Sequence, residues 1–450
     1  MADPSPLQAP AAGLPVLSPR ERIAAVADAG SVAWLDTPRP SPHLARFGIA
    51  AQDDDGIATA AIRVCGAPVL VAAQDERFLR GSVGAGQADA LAALFRRARA
   101  KRCAVVLLMA SGGVRLHEAN AAELALARAL SALFDARAAG VPVAVLAVGD
   151  VFGGASVLAC AGAALGMLPG ARLGLSGPKV IETARGRAEI DAADRMAVDA
   201  LFGAAARVAQ GHAALVQDDA DAVREWLHAA LQRALPFEDD VLRAHEGLAA
   251  SAALPAAAGA NVPPPHLASL DGVVPEDRDG WLWRFDGALF TRPFTGRVFD
   301  GVSAHALDTA LLAACAAGRT PRLVLTEDST GHDVSRAAEA RLDSRRLAHH
   351  AAVLALLRAR GVRTVGWLCG TGHSAAFFVN ALQAPRLVAS PQARVVAMDP
   401  AAIARVTGRD VRALVEDDPL LGQPARHLAA LGGVDAFVAD VPALRAELGR

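Results

Sequence analysis

The sequence predicts an α/β protein of two related domains, each built from parallel strand–helix units. Three observations predict it. An order of parts occurs twice along the 450 residues, apolar runs of strand length alternate with stretches of helical spacing in both copies, and a segment rich in Ala, Pro and Gly separates them.

Each copy opens with an apolar strand that ends in a Gly-bearing turn, "AVVLLMASGG" from Ala104 and "LVLTEDSTGH" from Leu323. Helices over 115–141 and 336–362 follow, with apolar residues at helical spacing and glycine at the end of each. Arg115 and Arg336, Glu118 and Glu339, Gly140 and Gly361 are all 221 positions apart. The Arg and Glu pairs read as capping and pairing groups of their helices rather than substrate contacts. A second strand comes next ("PVAVLAVGDV", "RTVGWLC"), then a small-residue turn ("FGGAS", "GTGHSAA") and an apolar helix. A Pro-x-Ala-Arg turn and a short strand ("LGLSGP", "VVAMDP") close each copy. Continuous apolar strands suit a parallel sheet covered on both faces. Residues 1–20 are Pro-rich and read as a flexible N-terminal arm; the domains then cover 21–262 and 281–450, with a linker over 263–280.

Apolar residues make up 53% of the chain and aromatics 4%, so the core must be packed from Ala, Leu and Val. With 45 basic and 47 acidic residues interspersed, no cationic field exists for a nucleic acid. Five widely spaced cysteines form no C-x-x-C pair and suit a reducing cytosol, so a cytoplasmic protein is expected. The uncharged stretch 151–168, "VFGGASVLACAGAALGML", is nearly long enough to span a bilayer. Its Ala and Gly content, with Asp150 before it and Gly153-Gly154 inside it, argues for a buried segment of a soluble domain instead.

The glycines are where chemistry enters. A helix N-terminus leaves its first N–H groups unpaired and carries a partial positive charge, and glycine lets a ligand oxygen reach them. Gly112-Gly113 and Gly153-Gly154 offer two such turns in the first half. Converging main-chain donors suit a reaction in which a carbonyl oxygen becomes an enolate. "DDDG" (53–56) reads as a hairpin turn, and no metal site is expected. "GSVGAGQAD" (81–89) fits neither nucleotide-binding spacing.

Further residues carry a family resemblance. "SPRERIAAVADAGS" (18–31), "SGGVRLHEAN" (111–120) and "FGGASVLACAGAALGMLPGARLGLSGPKVIE" (152–182) resemble the β domain of the carboxyltransferase family in the crotonase superfamily. "GTGHSAAFFVNALQAPRLVASPQARVVAMDPAAIARVTG" (370–408) resembles the γ subunit of malonate decarboxylases. Together they look like β and γ subunits fused in one chain.

The resemblance implies two tandem crotonase-like domains of the β-β-α spiral type. It implies decarboxylation of a malonyl thioester to the acetyl thioester and carbon dioxide. No cofactor would be bound covalently, because the thioester prosthetic group arrives on a partner acyl carrier protein. Other decarboxylase subunits, including an acyl carrier protein transferase, and further copies of the chain are expected as partners; nucleic acid and membrane are not. Carried over residue by residue, oxyanion-hole donors lie around Gly112, Gly113, Gly153 and Gly154, with a second set around Gly372, His373 and Ser374. The second set reads Gly-His where the first reads Gly-Gly, so backbone approach there is less open. Ser111, Gly84 and Gly86 are expected to border the thioester.

His373 is the candidate for handling the proton that the carbanion carbon needs, its imidazole kept neutral by the helix end. His117 and His332, each after the first strand of a domain, are weaker candidates. Two alternatives are transfer of the carboxyl group to biotin on another protein and an acyl-CoA carboxylase subunit. A third is a non-catalytic scaffold. The four-cysteine zinc finger of bacterial acetyl-CoA carboxylase β subunits has no counterpart among the five cysteines.

Overall fold

The computed structural model describes residues 13–35, 40–249, 262–268, 270–319, 322–410, 412, 416 and 418–448. Its first half begins with helix α1 (Pro19–Val26), whose Ser18 and Glu21 form a reciprocal capping box. Strands β1 (Ala33–Trp34), β2 (Ile57–Val64) and β3 (Ala67–Gln74) pair antiparallel. Helix α2 (Ala85–Lys101), β4 (Ala104–Ser111), α3 (Ala119–Ala138), β5 (Val143–Val151), α4 (Gly154–Cys160) and β6 (Ala164–Met167) come next. Helices α5 (Pro178–Arg185), α6 (Arg195–Phe202) and α7 (Ala204–Ala209), strand β7 (Ala214–Leu215), and helices α8 (Ala220–Gln232) and α9 (Phe237–Ala249) complete this half.

The seven strands order sequentially, and β3 to β7 pair parallel. The parallel expectation therefore holds for the strand–helix units, and antiparallel strands lead them. The tight turn of the β2–β3 hairpin is Cys65-Gly66, with φ of +48° and +80°. "DDDG" precedes β2 instead, where it delivers the Asp55 carboxylate to the interior.

The second half repeats the scheme: β8 (Val274–Pro275), β9 (Leu282–Phe285), β10 (Ala288–Thr291), α10 (Gly301–Ala316), β11 (Arg322–Glu327), α11 (Arg336–Ala340), α12 (Asp343–Ala359) and β12 (Arg363–Leu368). Then come β13 (Thr371–His373), α13 (Ser374–Val379), β14 (Arg386–Ala389), β15 (Arg394–Val396), α14 (Pro400–Thr407) and β16 (Ala436–Phe437). The main sheet runs β16-β14-β12-β11-β10-β9-β8, and β13 pairs with β15 in a small parallel ribbon. Two crotonase-like α/β domains thus lie in one chain.

The helices between the two sheets share one core. Helix α12 packs on α3, α4 and α9 of the first half, and one apolar cluster takes in Leu130, Phe134, Leu158, Leu347 and Leu354. Helix α3 is buried nearly all round because alanines on its faces let α2 and α12 approach closely. That is how a chain with so few aromatic rings fills its interior.

Two expectations change and one, for the uncharged stretch, is met. Residues 1–12 of the expected arm lie outside the described residues, but from Gly13 onward the chain is docked: Leu14 is buried and its N–H donates to the Asp218 carboxylate at 2.8 Å. The expected linker belongs largely to the second domain, since Leu267 packs under Trp283 and Val274–Pro275 forms the edge strand. Stretch 151–168 is the end of one strand, a turn, a seven-residue helix and another strand. Among the described residues, no helix is long and apolar enough to cross a membrane.

Candidate active site

Two turns at the ends of β4 and β5 meet. Gly113 has φ +103° and Gly153 φ +60°, conformations that glycine adopts without strain. A Cβ on Gly153 would lie 3.1 Å from the Gly113 Cα, and one on Gly113 would lie 3.3 Å from the Phe152 carbonyl oxygen. Both glycines are therefore required for the turns to touch.

Tracing each N–H shows which donors are left for a ligand. The Gly112 N–H donates to the Arg80 carbonyl at 2.8 Å and that of Gly153 to the Leu175 carbonyl at 3.0 Å. The Gly113 N–H donates to the Ser111 hydroxyl at 3.3 Å. Among the described residues, the N–H groups of Val114 and Gly154 have no acceptor, and both residues are half-buried. The glycines shape the site, and two of its free donors sit at Val114 and Gly154.

Ser111 and Gly84 are both buried. The Ser111 hydroxyl donates to the Gly81 carbonyl at 2.7 Å and so pins the turn. Gly84 caps α2 and lies so close to the Arg115 guanidinium that a Cβ would collide with it. Gly86 lies in the first turn of α2 and is half-buried. Arg115 is fully buried and pairs with Asp55 at 2.6 Å and Glu118 at 2.8 Å. Glu118 also accepts from the Ala85 N–H at 2.8 Å, capping α2. This network fixes the segment that carries Val114.

The second domain repeats the turn at a place the glycine motif did not mark. The Thr330 N–H donates to the Arg297 carbonyl at 2.9 Å, the Gly331 N–H to the Ser329 hydroxyl at 3.4 Å, and the Phe299 N–H to the Gly331 carbonyl at 2.7 Å. These bonds reproduce those of Gly112, Gly113 and Val83, so Ser329-Thr330-Gly331 is the counterpart of Ser111-Gly112-Gly113. Gly331 has φ +96°, and a Cβ there would lie 3.2 Å from Cγ of His373. Ser374, at φ +50°, stands where Gly153 stands in the first domain. Gly372 serves packing instead, buried in the β13–β15 ribbon against the Phe377 ring.

His373 and His332 lie together at the domain interface. Burial lowers the imidazole of His373, while the nearby Asp399 carboxylate and a hydrogen bond with the Thr330 backbone oppose it. The ring is thus kept neutral by burial rather than by the short helix behind it. Burial and the neighbouring His373 push His332 down to about 4. His332 Nε2 lies 3.1 Å from the Ser176 hydroxyl of the first domain. His117 stands elsewhere, edge-on to Phe47.

Glu339 ties the domains together. Its carboxylate accepts from the N–H groups of Ser176 at 2.6 Å and Leu175 at 3.1 Å, and Arg207 donates to its carbonyl at 2.8 Å. Because the Leu175 carbonyl in turn accepts from Gly153, the first-domain turn is held from the second domain through one residue. Glu339 therefore acts across the interface and not within its helix. The residue that caps α10 as Glu118 caps α2 is Asp343, which accepts from the Gly301 N–H at 3.2 Å.

Two crotonase-like domains in one chain, matching the carboxyl transferase and malonate decarboxylase gamma families, mark an enzyme of the carboxyltransferase and decarboxylase class. The chain belongs to the carboxyl transferase domain family, which residues 16–245 match, and residues 300–450 match the malonate decarboxylase gamma subunit, so a β-like and a γ-like part are fused here. A malonyl-S-ACP:biotin-protein carboxyltransferase of Malonomonas rubra is 33% identical over 241 residues, which cover 49% of this chain and 75% of that protein. An acetyl-coenzyme A carboxylase carboxyl transferase (subunits beta/alpha) of a Parafrankia species is also 33% identical, over 37% of this chain and 29% of its own length. A chain of a Pseudomonas malonate decarboxylase hetero-tetramer, solved in complex with malonate, is 34% identical, with 54% of this chain and 94% of that chain covered and a TM-score of 0.49.

Proposed function

We propose that this chain decarboxylates a malonyl thioester presented by an acyl carrier protein, through an enolate held by main-chain N–H groups. The observation that carries the reading is the meeting of the Gly113 and Gly153 turns beside two unspent donors, Val114 and Gly154. The bond from the α-carbon to the departing carboxylate breaks, and its electron pair moves onto the thioester carbonyl. Charge thus grows on the oxygen that the two N–H groups reach, so they stabilise the transition state more than the ground state. Carbon dioxide leaves, and a proton returns to the α-carbon from a water or donor positioned by neutral His373. The counterpart turn at Gly331 lies against the His373 ring and holds it beside the reacting group. The malonyl-S-ACP chemistry in the name of the Malonomonas relative and the γ-subunit match over 300–450 both support this substrate.

The same relative favours a second reading, transfer of the carboxyl group to a biotin protein. Carboxyl-labelled malonyl carrier protein incubated with the purified chain separates the two. Release of labelled carbon dioxide without biotin is expected; a strict biotin requirement overturns decarboxylation. Other malonate decarboxylase subunits and further copies of the chain complete the proposed assembly. The cytoplasm is the proposed compartment, consistent with five free thiols.

A further inference from the structure

We propose that His245, His305 and His349 form a zinc site that clasps α9 to the second domain. The three imidazoles come from three different helices, α9, α10 and α12, and each offers a ring nitrogen within 4.8 Å of the others. His305 and His349 are buried and His245 is half-buried. His245 Nδ1 and His349 Nε2 lie 3.2 Å apart, close to the separation of two ligands on a tetrahedral zinc at ~2.0–2.1 Å from each nitrogen.

Hydrogen bonding sets the ring state. The Thr309 hydroxyl donates to the His305 carbonyl at 2.9 Å, so at 3.2 Å its lone pair accepts from His245 Nε2–H. In a neutral ring this leaves Nδ1 of His245 bare and aimed at His349, an outer-shell arrangement that orients metal-binding histidines. Both ring nitrogens of His305 are buried without a hydrogen-bond partner, and so is Oδ2 of Asp308, one helical turn further along α10. Asp308 Oδ1 is engaged with His350 Nδ1 at 2.7 Å. Bare nitrogens and an uncompensated buried carboxylate oxygen beside them are what a divalent cation satisfies and an empty apolar core does not.

The surrounding charges permit it. Asp308 and Glu246 act on His245 as anions, and the Arg346 charge near His305 is met by Asp343 and Asp300. All-imidazole ligation without a thiolate suits zinc among common intracellular ions. His349 also lines a cavity of about 280 Å³ with Arg137, His212 and Arg345. Cys160 lines the same cavity at the end of α4 remote from the Gly153 turn, so the role is structural.

The test uses the full chain, free of any polyhistidine tag and stripped with a chelator. Zn(II) should bind one per chain, Co(II) should give the visible absorption of a four-coordinate site, and saturating Zn(II) should raise the melting temperature by roughly 5 °C. His305→Ala and His349→Ala should each weaken binding at least ~100-fold, while His427→Ala leaves it unchanged. His305→Gln, similar in size and polar, gives the same reading if the alanine variant does not fold. Absence of stoichiometric Zn(II) uptake by the wild-type chain, or retention of it by a folded His305/His349 double variant, overturns the site. The readout is metal and not turnover, so it stands or falls separately from the decarboxylase reading.

Discussion

Gly113 and Gly153 lie so close that a Cβ on Gly153 would come within 3.1 Å of the Gly113 Cα and one on Gly113 within 3.4 Å of the Gly153 Cα, and each sits in a backbone conformation that a side chain disfavours. The contact joins two strand ends that lie 40 residues apart and sets the spacing of the Val114 and Gly154 donors. Gly153→Ala should cost about 1–3 kcal/mol of stability from backbone strain alone. Turnover should fall by ~100-fold, comparable to losing one oxyanion donor. Labelled carbon dioxide release measured beside the melting temperature checks this. Normal turnover in a folded Gly153→Ala chain would remove the turn from the mechanism.

Gly331 makes the matching contact in the second domain, against the His373 ring. Gly331→Ala should push that ring aside and slow product formation by at least ~10-fold, because its φ of +96° and the crowded Cβ both act on His373. Steady-state kinetics with a malonyl thioester gives the answer; unchanged kcat would show that the second turn is only structural.

How much of this was legible follows from the same residues. The repeated order of strand, helix and small-residue turn was readable because buried parallel strands are written as apolar runs. Gly140 and Gly361 are true counterparts: each follows its helix at positive φ and donates to the carbonyl three residues back, Arg137 and Arg358. Glu118 and Glu339 keep the same 221-residue spacing and do different work, since the extra helix α11 moves the capping role to Asp343. The repeat placed Gly331 in a Gly-bearing turn but did not mark it as a site residue, because that turn reads Ser-Thr-Gly, with one glycine, where the first copy reads Ser-Gly-Gly. The signal that could have found it was the shared serine two residues ahead. The three histidines of the zinc site are 60 and 44 residues apart, a spacing that no local pattern links.

Arg115 is the clearest case of a buried charge whose partners must stay. It is 0% exposed, as is Asp55. Arg115→Met strands two carboxylates in the interior and should cost about 3–5 kcal/mol, whereas adding Asp55→Asn should recover part of that loss. Urea unfolding midpoints of the wild-type, single and double variants measure it. Equal loss in single and double variants would show that the arginine matters only for packing.

Glu123 and Glu327, one in each domain, are both buried, and the Glu327 charge acts on Glu123. Burial, with the Glu327 charge, raises Glu123 to about 8, and burial raises Glu327 to about 7 against the pull of Asn380 and Ser329. An unfolded glutamate titrates near 4.5. Between those values the folded state binds more protons than the unfolded state, so stability falls as pH rises and levels off above about pH 8. Glu123→Gln removes much of that slope. Its melting temperature should match the wild type near about pH 5 and exceed it near about pH 9. Parallel melting curves across that range would show that the pair is not titrating.

His373 offers the sharpest link between the interface and the chemistry. Its imidazole is lowered by burial, so it is neutral at pH 7 and takes up a proton only on the acid side of the usual histidine range. If the neutral ring positions the proton source, wild-type kcat/KM should fall on an acid limb centred below 6.5. His373→Ala should lower the rate at least ~10-fold and flatten that limb, with the fold intact by circular dichroism. His332→Gln breaks the 3.1 Å contact with Ser176 and leaves in place the groups that act on His373, namely its burial, Asp399 and the Thr330 backbone. It should therefore leave the limb where it is and not abolish turnover. A limb that persists unshifted in His373→Ala would assign the titration to another group and end the role proposed for this residue.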